Sequence, residues 1–232
     1  MTHPELDMPF WSALRSIHAH LAVAADDVAR YPAEYAPFLG VARDGACVDA
    51  ALDNLVAPGE SVYLLGTAPK VPEGWRLEIF RPLAQMVCDA PLPVPDGPAI
   101  MPLDERHRHD VLALTALVYP HYFRERTMEM GRYFGIYEDG RLAAMIGERL
   151  GAAGCREMSA ICTHPDFNGR GYARRLTAWL GNETLERGDL PFLHVSYENP
   201  RAKAMYERMG YRLRRDIGFW SLVRPEAAGM EA

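Results

Sequence analysis

Residues 162–176, CTHPDFNGRGYARRL, pass from an apolar strand through a turn with two glycines into an amphipathic helix. Gly169 and Gly171 permit positive φ and close backbone approach, so successive N–H groups can converge on a pyrophosphate at the positive end of the helix. Arg170, Arg174 and Arg175 bring positive charge to the same place. A glycine-rich strand-to-helix turn without a ligand has the same signature, because a short glycine pattern is weakly specific. Two familiar nucleotide sites are excluded: there is no GxxxxGK[ST] run, and the GxGxxG pattern is broken by Arg174 at its third glycine position. Metal chemistry finds no support. Cys47, Cys88, Cys155 and Cys162 are far apart with no CxxC pair, and read as reduced, structural thiols. The pairs His18/His20 and His107/His109 are spaced i, i+2, which points two side chains to different faces of a helix, and read as surface histidines.

Such a turn needs a strand before it and a helix behind it, and the flanking sequence supplies both. Residues 100–103 read as a short strand, and Asp104 can cap a helix reaching about Val118. A second, shorter helix is predicted over 122–130. Strands follow at 133–137 and 141–150, joined by the hairpin turn Glu138-Asp139-Gly140, with a third antiparallel strand at 156–163. After the glycine turn come a helix over 171–187 and a strand over 191–197. Asn199-Pro200 opens another helix that stops at Gly210, and 211–223 returns as strand. The order is β-α-α-β-β-β-α-β-α-β. Prolines 82, 91, 93, 95 and 98 with Asp96-Gly97 form a stretch that no helix or central strand tolerates, which sets the domain boundary there. Residues 1–92 then form a small α/β accessory domain with helical spacing at 10–23 and 44–56 and strands at 61–66 and 75–80. Residues 93–232 form the second domain.

The segment Asn168-Gly169-Arg170-Gly171-Tyr172-Ala173 resembles the pyrophosphate loop Gln/Arg-x-x-Gly-x-Gly/Ala of the GNAT superfamily of acyl-CoA-dependent N-acyltransferases, with Asn168 as the one departure. Thr163-His164-Pro165 before it and residues 193–211, LHVSYENPRAKAMYERMGY, continue the likeness over about 130 residues, closest to a glycine N-acyltransferase-like branch. The resemblance implies an α/β fold with a mixed, largely antiparallel sheet flanked by helices. It also implies acetyl-CoA held by Ile161, Cys162, Thr163, Asn168, Gly169, Arg170, Gly171, Tyr172, Ala173, Arg174 and Asn199, and no metal. Its pantetheine arm would add like a short strand beside 161–163, where a backbone N–H polarises the carbonyl. His164 is expected to be a turn residue. Glu157 matches a general-base glutamate of some members, and reads equally as a strand-edge carboxylate facing solvent or pairing with Arg149. Tyr206 matches the acid that protonates the leaving sulfur, although Ala202, Met205, Tyr206 and Met209 also have the spacing of a buried helix face. Asn199 matches a pantetheine contact and is also a good N-cap. Cys162 is not expected to be a nucleophile.

The acceptor side would be built from residues 115–130 with the late strands. Tyr119, His121, Tyr122 and Arg124 make that segment aromatic and mixed in charge, and Arg124 or Arg126 could pair with a carboxylate on the amine, while a solvated helix reads the same way. A formal net charge of −6 argues against nucleic acid. No run of about 18 apolar residues and no basic leader is present, so a soluble cytoplasmic protein is expected. The expected activity is N-acetyl transfer to a small-molecule primary amine in a ternary complex. A protein or peptide acetyltransferase and a silent acyl-CoA-binding module stand as alternatives.

Overall fold

The computed structural model describes residues 3–118 and 120–226. They fall into two compact units, one of Met1–Ala33, Pro37–Leu83 and Ile217–Ala232, the other of Glu34–Ala36 and Ala84–Asp216. No single cut near residue 92 separates them. The chain supplies a strand of the second unit within the proline stretch, before Pro91, and returns to the first unit at residues 217–226.

The first unit begins with helix α1 (Pro9–Leu14), strands β1 (Val23–Ala25), β2 (Val28–Arg30) and β3 (Leu39–Val41), helix α2 (Asp49–Leu55), and strands β4 (Ser61–Leu65) and β5 (Arg76–Ile79). Both helices are shorter than their apolar spacing predicts. Beyond α1 the chain turns so that His18, 4% exposed, can bring Nδ1 to 2.8 Å from the hydroxyl of the buried Tyr31. His18 is therefore a buried partner for a phenol and not a surface residue, since a buried hydroxyl needs a hydrogen bond. Before α2, Asp44 accepts a hydrogen bond from the Ala68 amide and Gly45 takes φ 68°, which holds residues 44–48 out of the helix.

The second unit is a seven-stranded sheet with helices on both faces. Its strands are β6 (Leu83–Val87), β7 (Met101–Leu103), β8 (Tyr133–Glu138), β9 (Arg141–Ala152), β10 (Cys155–Thr163), β11 (Leu190–Ser196) and β12 (Arg212–Ile217), in the spatial order β12-β6-β11-β10-β9-β8-β7. Pairs β7–β8, β8–β9 and β9–β10 are antiparallel, and β10–β11 is parallel. Its helices are α3 (Arg108–Val118), α4 (Tyr172–Glu186) and α5 (Pro200–Met209). One face of the sheet offers Met86, Ile146, Met158, Leu193 and Val195 to Leu176, Leu180 and Tyr206 of α4 and α5. The other offers Leu103, Tyr133, Met145 and Cys162 to Val111 and Leu114 of α3.

Local chemistry accounts for most of these elements. The β8–β9 hairpin turns on Asp139 at φ 50° and Gly140 at φ 73°, the two positive-φ positions a tight hairpin requires. Asp104 and His107 make a reciprocal capping box ahead of α3, and Gly210 closes α5 in the left-handed conformation. Three further expectations fail. The helix predicted over 122–130 is only a 3-10 turn, Thr127–Met130, because the Thr127 hydroxyl accepts from the Arg124 amide and donates to the Tyr35 carbonyl, fixing a turn instead. The strand predicted over 211–223 is broken at Gly218, whose position a Cβ would contest with the Trp220 ring. Its second half, β13 (Phe219–Val223), lies between β4 and β5 in a three-stranded sheet of the first unit. Strand β6, read from the sequence as part of the proline-rich boundary, is instead a strand flanked by partners on both sides.

The phenol of Tyr211 is 2% exposed and its oxygen has no hydrogen-bond partner among the described residues, and burial pushes its pKa well up. Removing an unsatisfied buried hydroxyl while keeping the ring should cost nothing or stabilise by up to about 2 kcal/mol. Tyr211→Ala should instead cost about 3–5 kcal/mol through the cavity it leaves. Urea denaturation of the two variants checks both values.

Candidate active site

Strands β10 and β11 run parallel through Cys155↔Leu190, Arg156↔Pro191 and Glu157↔Phe192, and their pairing then ends although β10 continues to Thr163 and β11 to Ser196. Two strand edges thus part into a notch, a place where an extended chain can take up backbone hydrogen bonds. Within the notch β10 is irregular toward its other neighbour: Ser159 faces Gly147 and Cys162 faces Met145, so Ala160 and Ile161 oppose Ile146 alone. Ala160 takes φ 49° to make this bulge, a left-handed conformation that costs a non-glycine residue about 1 kcal/mol or more. The bulge re-aims the backbone of 160–161 out of the ladder. Ile161 and Thr163 are half-buried there, and Cys162 is turned into the core beside α3.

The glycine turn lies at the end of β10. Gly169 and Gly171 have φ 81° and 82°, and Gly171 is the N-cap of α4 with no side chain capping the helix. A Cβ built at either position would meet nothing within 4 Å, so their left-handed backbone, not crowding, calls for glycine and leaves the turn open to a ligand. The free N–H groups of a 15-residue helix face this opening. Arg170 and Arg174 are exposed beside it with no acidic partner among the described residues, Arg170 lying over the Phe167 ring at 4.9 Å. Asn168 is exposed and Ala173 half-buried. Tyr172 is buried in the core, which leaves only its backbone for a ligand. Arg175 does not join this cluster, because its guanidinium donates to the carbonyls of Pro95 and Pro98 and pins the proline-rich segment. His164 accepts from the Asp166 amide through Nδ1, as a turn residue does. An open helix end with two unpaired arginines, next to a notch between strand edges, fits a ligand with a polyanionic head and a thin extended arm.

Glu157 stands at the vertex of the notch and is 1% exposed. Arg149 of β9 grips it with two hydrogen bonds of 3.0 Å, and Nδ1 of His194, two residues beyond the last β11 pair, is 2.7 Å from its other side. Burial alone would raise its pKa. The Arg149 charge and the His194 hydrogen bond reverse that and hold it at about 2. Glu157 is thus the Arg149-paired carboxylate and not a solvent-facing one. A group held so low is a poor proton acceptor near neutrality, where a general base needs a pKa closer to the working pH. The chain of contacts continues. Gln85 Nε2 lies 3.0 Å from His194 Nε2, and Arg214 donates to Gln85 Oε1 at 2.7 Å. Arg149, Glu157, His194, Gln85 and Arg214 come from β9, β10, β11, β6 and β12, which are successive neighbours in the sheet. Leu193, Val195, Ala84, Met86 and Met158 all pack toward α4 and α5, so the alternation of the strands sets this polar row on the opposite face. Of its members only Glu157 and Arg149 were legible from sequence. His194 is the one ionisable residue in the mostly apolar β11, and that interruption is the signal it gave.

Tyr206 is 6% exposed and packs with the Tyr211 ring at a centroid distance of 5.9 Å, so the buried-face spacing of α5 is real. Asn199 caps α5, its Oδ1 accepting from the Ala202 amide at 3.1 Å, which leaves Nδ2 for another contact. Arg126 is occupied by Glu129 and lies over the Tyr35 ring, so it is not an anion site. The Arg124 guanidinium meets only the carbonyls of His121 and Phe123, with no carboxylate partner among the described residues. Tyr119 lies outside the described residues. The described residues contain no cluster of three or more metal-ligating side chains, and no helix long and apolar enough to cross a membrane.

Arg149→Met should strand a buried charge at Glu157 and cost about 3–5 kcal/mol near neutral pH. Because the folded pKa of Glu157 lies below its ordinary 4.5, the wild-type stabilisation is complete above about pH 4.5 and is lost as pH falls toward 2. The gap between variant and wild type should therefore narrow on acidification, which thermal melts between pH 3 and 8 would record.

A family model described as FR47-like protein matches residues 133–220, the span from β8 into β13. A search of the curated proteins found no match. Among solved structures, a GNAT-family protein of Novosphingobium aromaticivorans DSM 12444 is 34% identical, with 97% of this chain and 100% of that chain covered and a TM-score of 0.86. A GCN5-related N-acetyltransferase of Kribbella flavida shares the fold at 16% identity and a TM-score of 0.62, covering 93% and 92% of the two chains. A GCN5-related N-acetyltransferase-like protein of Streptococcus suis 89/1591 does so at 14% identity and 0.56, covering 91% and 92%. With that identity sustained over nearly its whole length, and with a glycine turn and parted parallel strands suited to an acyl-CoA, this chain belongs to the GNAT family and is an acyltransferase.

Proposed function

We propose that this enzyme transfers an acetyl group from acetyl-CoA to the primary amine of a small molecule, by direct attack within a ternary complex. The observation that carries the reading is the parting of β10 and β11 after Glu157/Phe192, immediately before the uncapped end of α4. The pyrophosphate would lie on the N–H groups of 169–174 between Arg170 and Arg174, with Asn168 at the rim. The pantetheine arm would lie along 161–163 in the notch, with Asn199 Nδ2 as a polar contact. A backbone N–H of the bulge would polarise the thioester carbonyl. Direct attack is supported by Cys162, whose thiol is buried and pushed up to about 12, far from a usable thiolate. Tyr206, 6% exposed on α5, would protonate the leaving sulfur, the role its place in the motif implies.

A small acceptor is supported by residues 120–130, where Phe123 packs with Ala160 and Cys162 in one apolar cluster, so that this segment covers the bulged end of β10. Arg124 follows directly and has charge to spare for a carboxylate on the amine. A placement in the glycine N-acyltransferase-like branch belongs to the same proposal. So do the absence of nucleic-acid and membrane partners and a cytoplasmic location, the last supported by four cysteines that form no disulfide among the described residues.

Two measurements test the reading. Acetyl-CoA should bind wild type in calorimetry, and Gly171→Val should lose that binding by at least about tenfold because a β-branched residue resists φ near 82°. Tyr206→Phe should keep its affinity for acetyl-CoA yet release CoA about 10²–10⁴-fold more slowly with a saturating amine. Wild-type turnover in the folded Phe variant would remove Tyr206 as the acid.

A further inference from the structure

The polar row across the sheet has a direction, set by which group can donate. Arg214 has only donors, so Gln85 Oε1 must accept from it, and this fixes the Gln85 amide with its N–H toward His194. His194 Nε2 must then be the bare, accepting nitrogen. Its proton sits on Nδ1 and is donated to Glu157, whose carboxylate is held ionised by Arg149. An imidazole with Nδ1–H bound to a fixed carboxylate and an unprotonated, accepting Nε2 is the arrangement that makes histidine an effective base. The charged and titratable groups around it come from every neighbouring strand: Glu157 on β10 with Arg149 behind it on β9, and Arg214 on β12 acting through Gln85 on β6. On its own strand the Phe192 ring lies edge-on to it, with ring centroids 5.6 Å apart. The imidazole is 3% exposed and stands just past the last β10–β11 pair, at the vertex of the notch.

We propose that His194 is the proton acceptor of the acyl transfer, with Glu157 stabilising its imidazolium and Gln85 and Arg214 setting its tautomer; this rests on the proposed acetyl transfer to an amine. The incoming amine displaces the Gln85 N–H from Nε2. As nitrogen bonds to the thioester carbonyl carbon and the carbon–sulfur bond breaks, the proton shed by nitrogen passes to Nε2, and the leaving sulfur takes the Tyr206 phenolic proton. Exchange with solvent returns one proton to Tyr206 and removes one from His194, so the net transfer is from amine to thiol. Glu157 stays ionised throughout, a role that suits its deep burial better than accepting a proton does.

His194→Asn separates base from scaffold, since Asn Nδ2 can still donate to Glu157 but no titrating lone pair remains. CoA release would be followed from pH 5.5 to 9 with acetyl-CoA and a panel of glycine, ethanolamine, putrescine and tyramine, using the acceptor wild type turns over best. The variant should bind acetyl-CoA with unchanged Kd, lose about 10²–10⁴-fold in kcat, lose the acidic limb of its pH profile, and regain part of its rate in millimolar imidazole. Turnover within threefold of wild type would show that His194 only positions Glu157, and the proposal would fall. Nitrogen-15 spectra of the wild-type imidazole supply an arm that needs no acceptor: Nδ1–H with a bare Nε2 upholds the assignment, and an Nε2–H tautomer overturns it. Wild type that binds acetyl-CoA but acetylates nothing in the panel would count against the amine reading, and the spectra would still decide the state of His194.

Discussion

A full negative charge sits at Glu157 with 1% of its surface exposed, and the middle of the sheet is organised around making that charge tolerable. An isolated carboxylate in such a place would neutralise itself. Arg149 supplies the countercharge from one neighbouring strand and His194 a hydrogen bond from the other, and both must come from strands held in fixed register. Register here is not uniform. Between Arg156 and Met158 the β9–β10 ladder shifts, so that Arg149 and Leu150 together oppose Glu157, and this local irregularity coincides with the side chain that the carboxylate requires.

The second irregularity of β10, at Ala160, stands three residues further on and faces the notch. A parallel pair that ended without cause would leave backbone groups wanting partners, a costly condition inside a protein. On the proposed function, the edge left where β10 and β11 part is the one that an acyl-CoA arm would complete. Glu157, the bulge and the glycine turn follow one another along β10 and its continuation. Short-range geometry on that strand thus sets the buried carboxylate, the left-handed Ala160 and the glycine turn in sequence. A change at Arg149 acts first on the charge balance at Glu157.

Arginines divide by their partners more than by their positions in the chain. Arg170 and Arg174 keep free charge at the turn, whereas Arg175 next to them is consumed by two proline carbonyls. Arg126 is held by Glu129, and Arg124 two residues earlier is not. Nothing in residue type separates the members of either pair. Local spacing reports that a cation is present, and only the fold reports whether it is already paired.

That contrast marks how far the amino-acid sequence reached. Elements whose cause is local were legible in it: the Asp139-Gly140 hairpin, the Asn199 cap and Gly210 stop of α5, the glycine turn, and the apolar periodicity of α3 and α4, because each depends on residues within one or two turns of one another. The misread elements were those decided by distant partners. Residues 10–23 and 122–130 carry helical spacing that His18–Tyr31 and Thr127–Tyr35 override, and β6 follows Pro82 in a stretch whose prolines hide a strand secured on both sides by β11 and β12. Glu157 and Tyr206 could be named from their places in a motif, but whether Glu157 faced solvent or Arg149 was open. Its answer, together with the row through His194, Gln85 and Arg214, came from side chains 8 to 129 residues apart meeting on one sheet face, and no pattern along the chain encodes such a meeting.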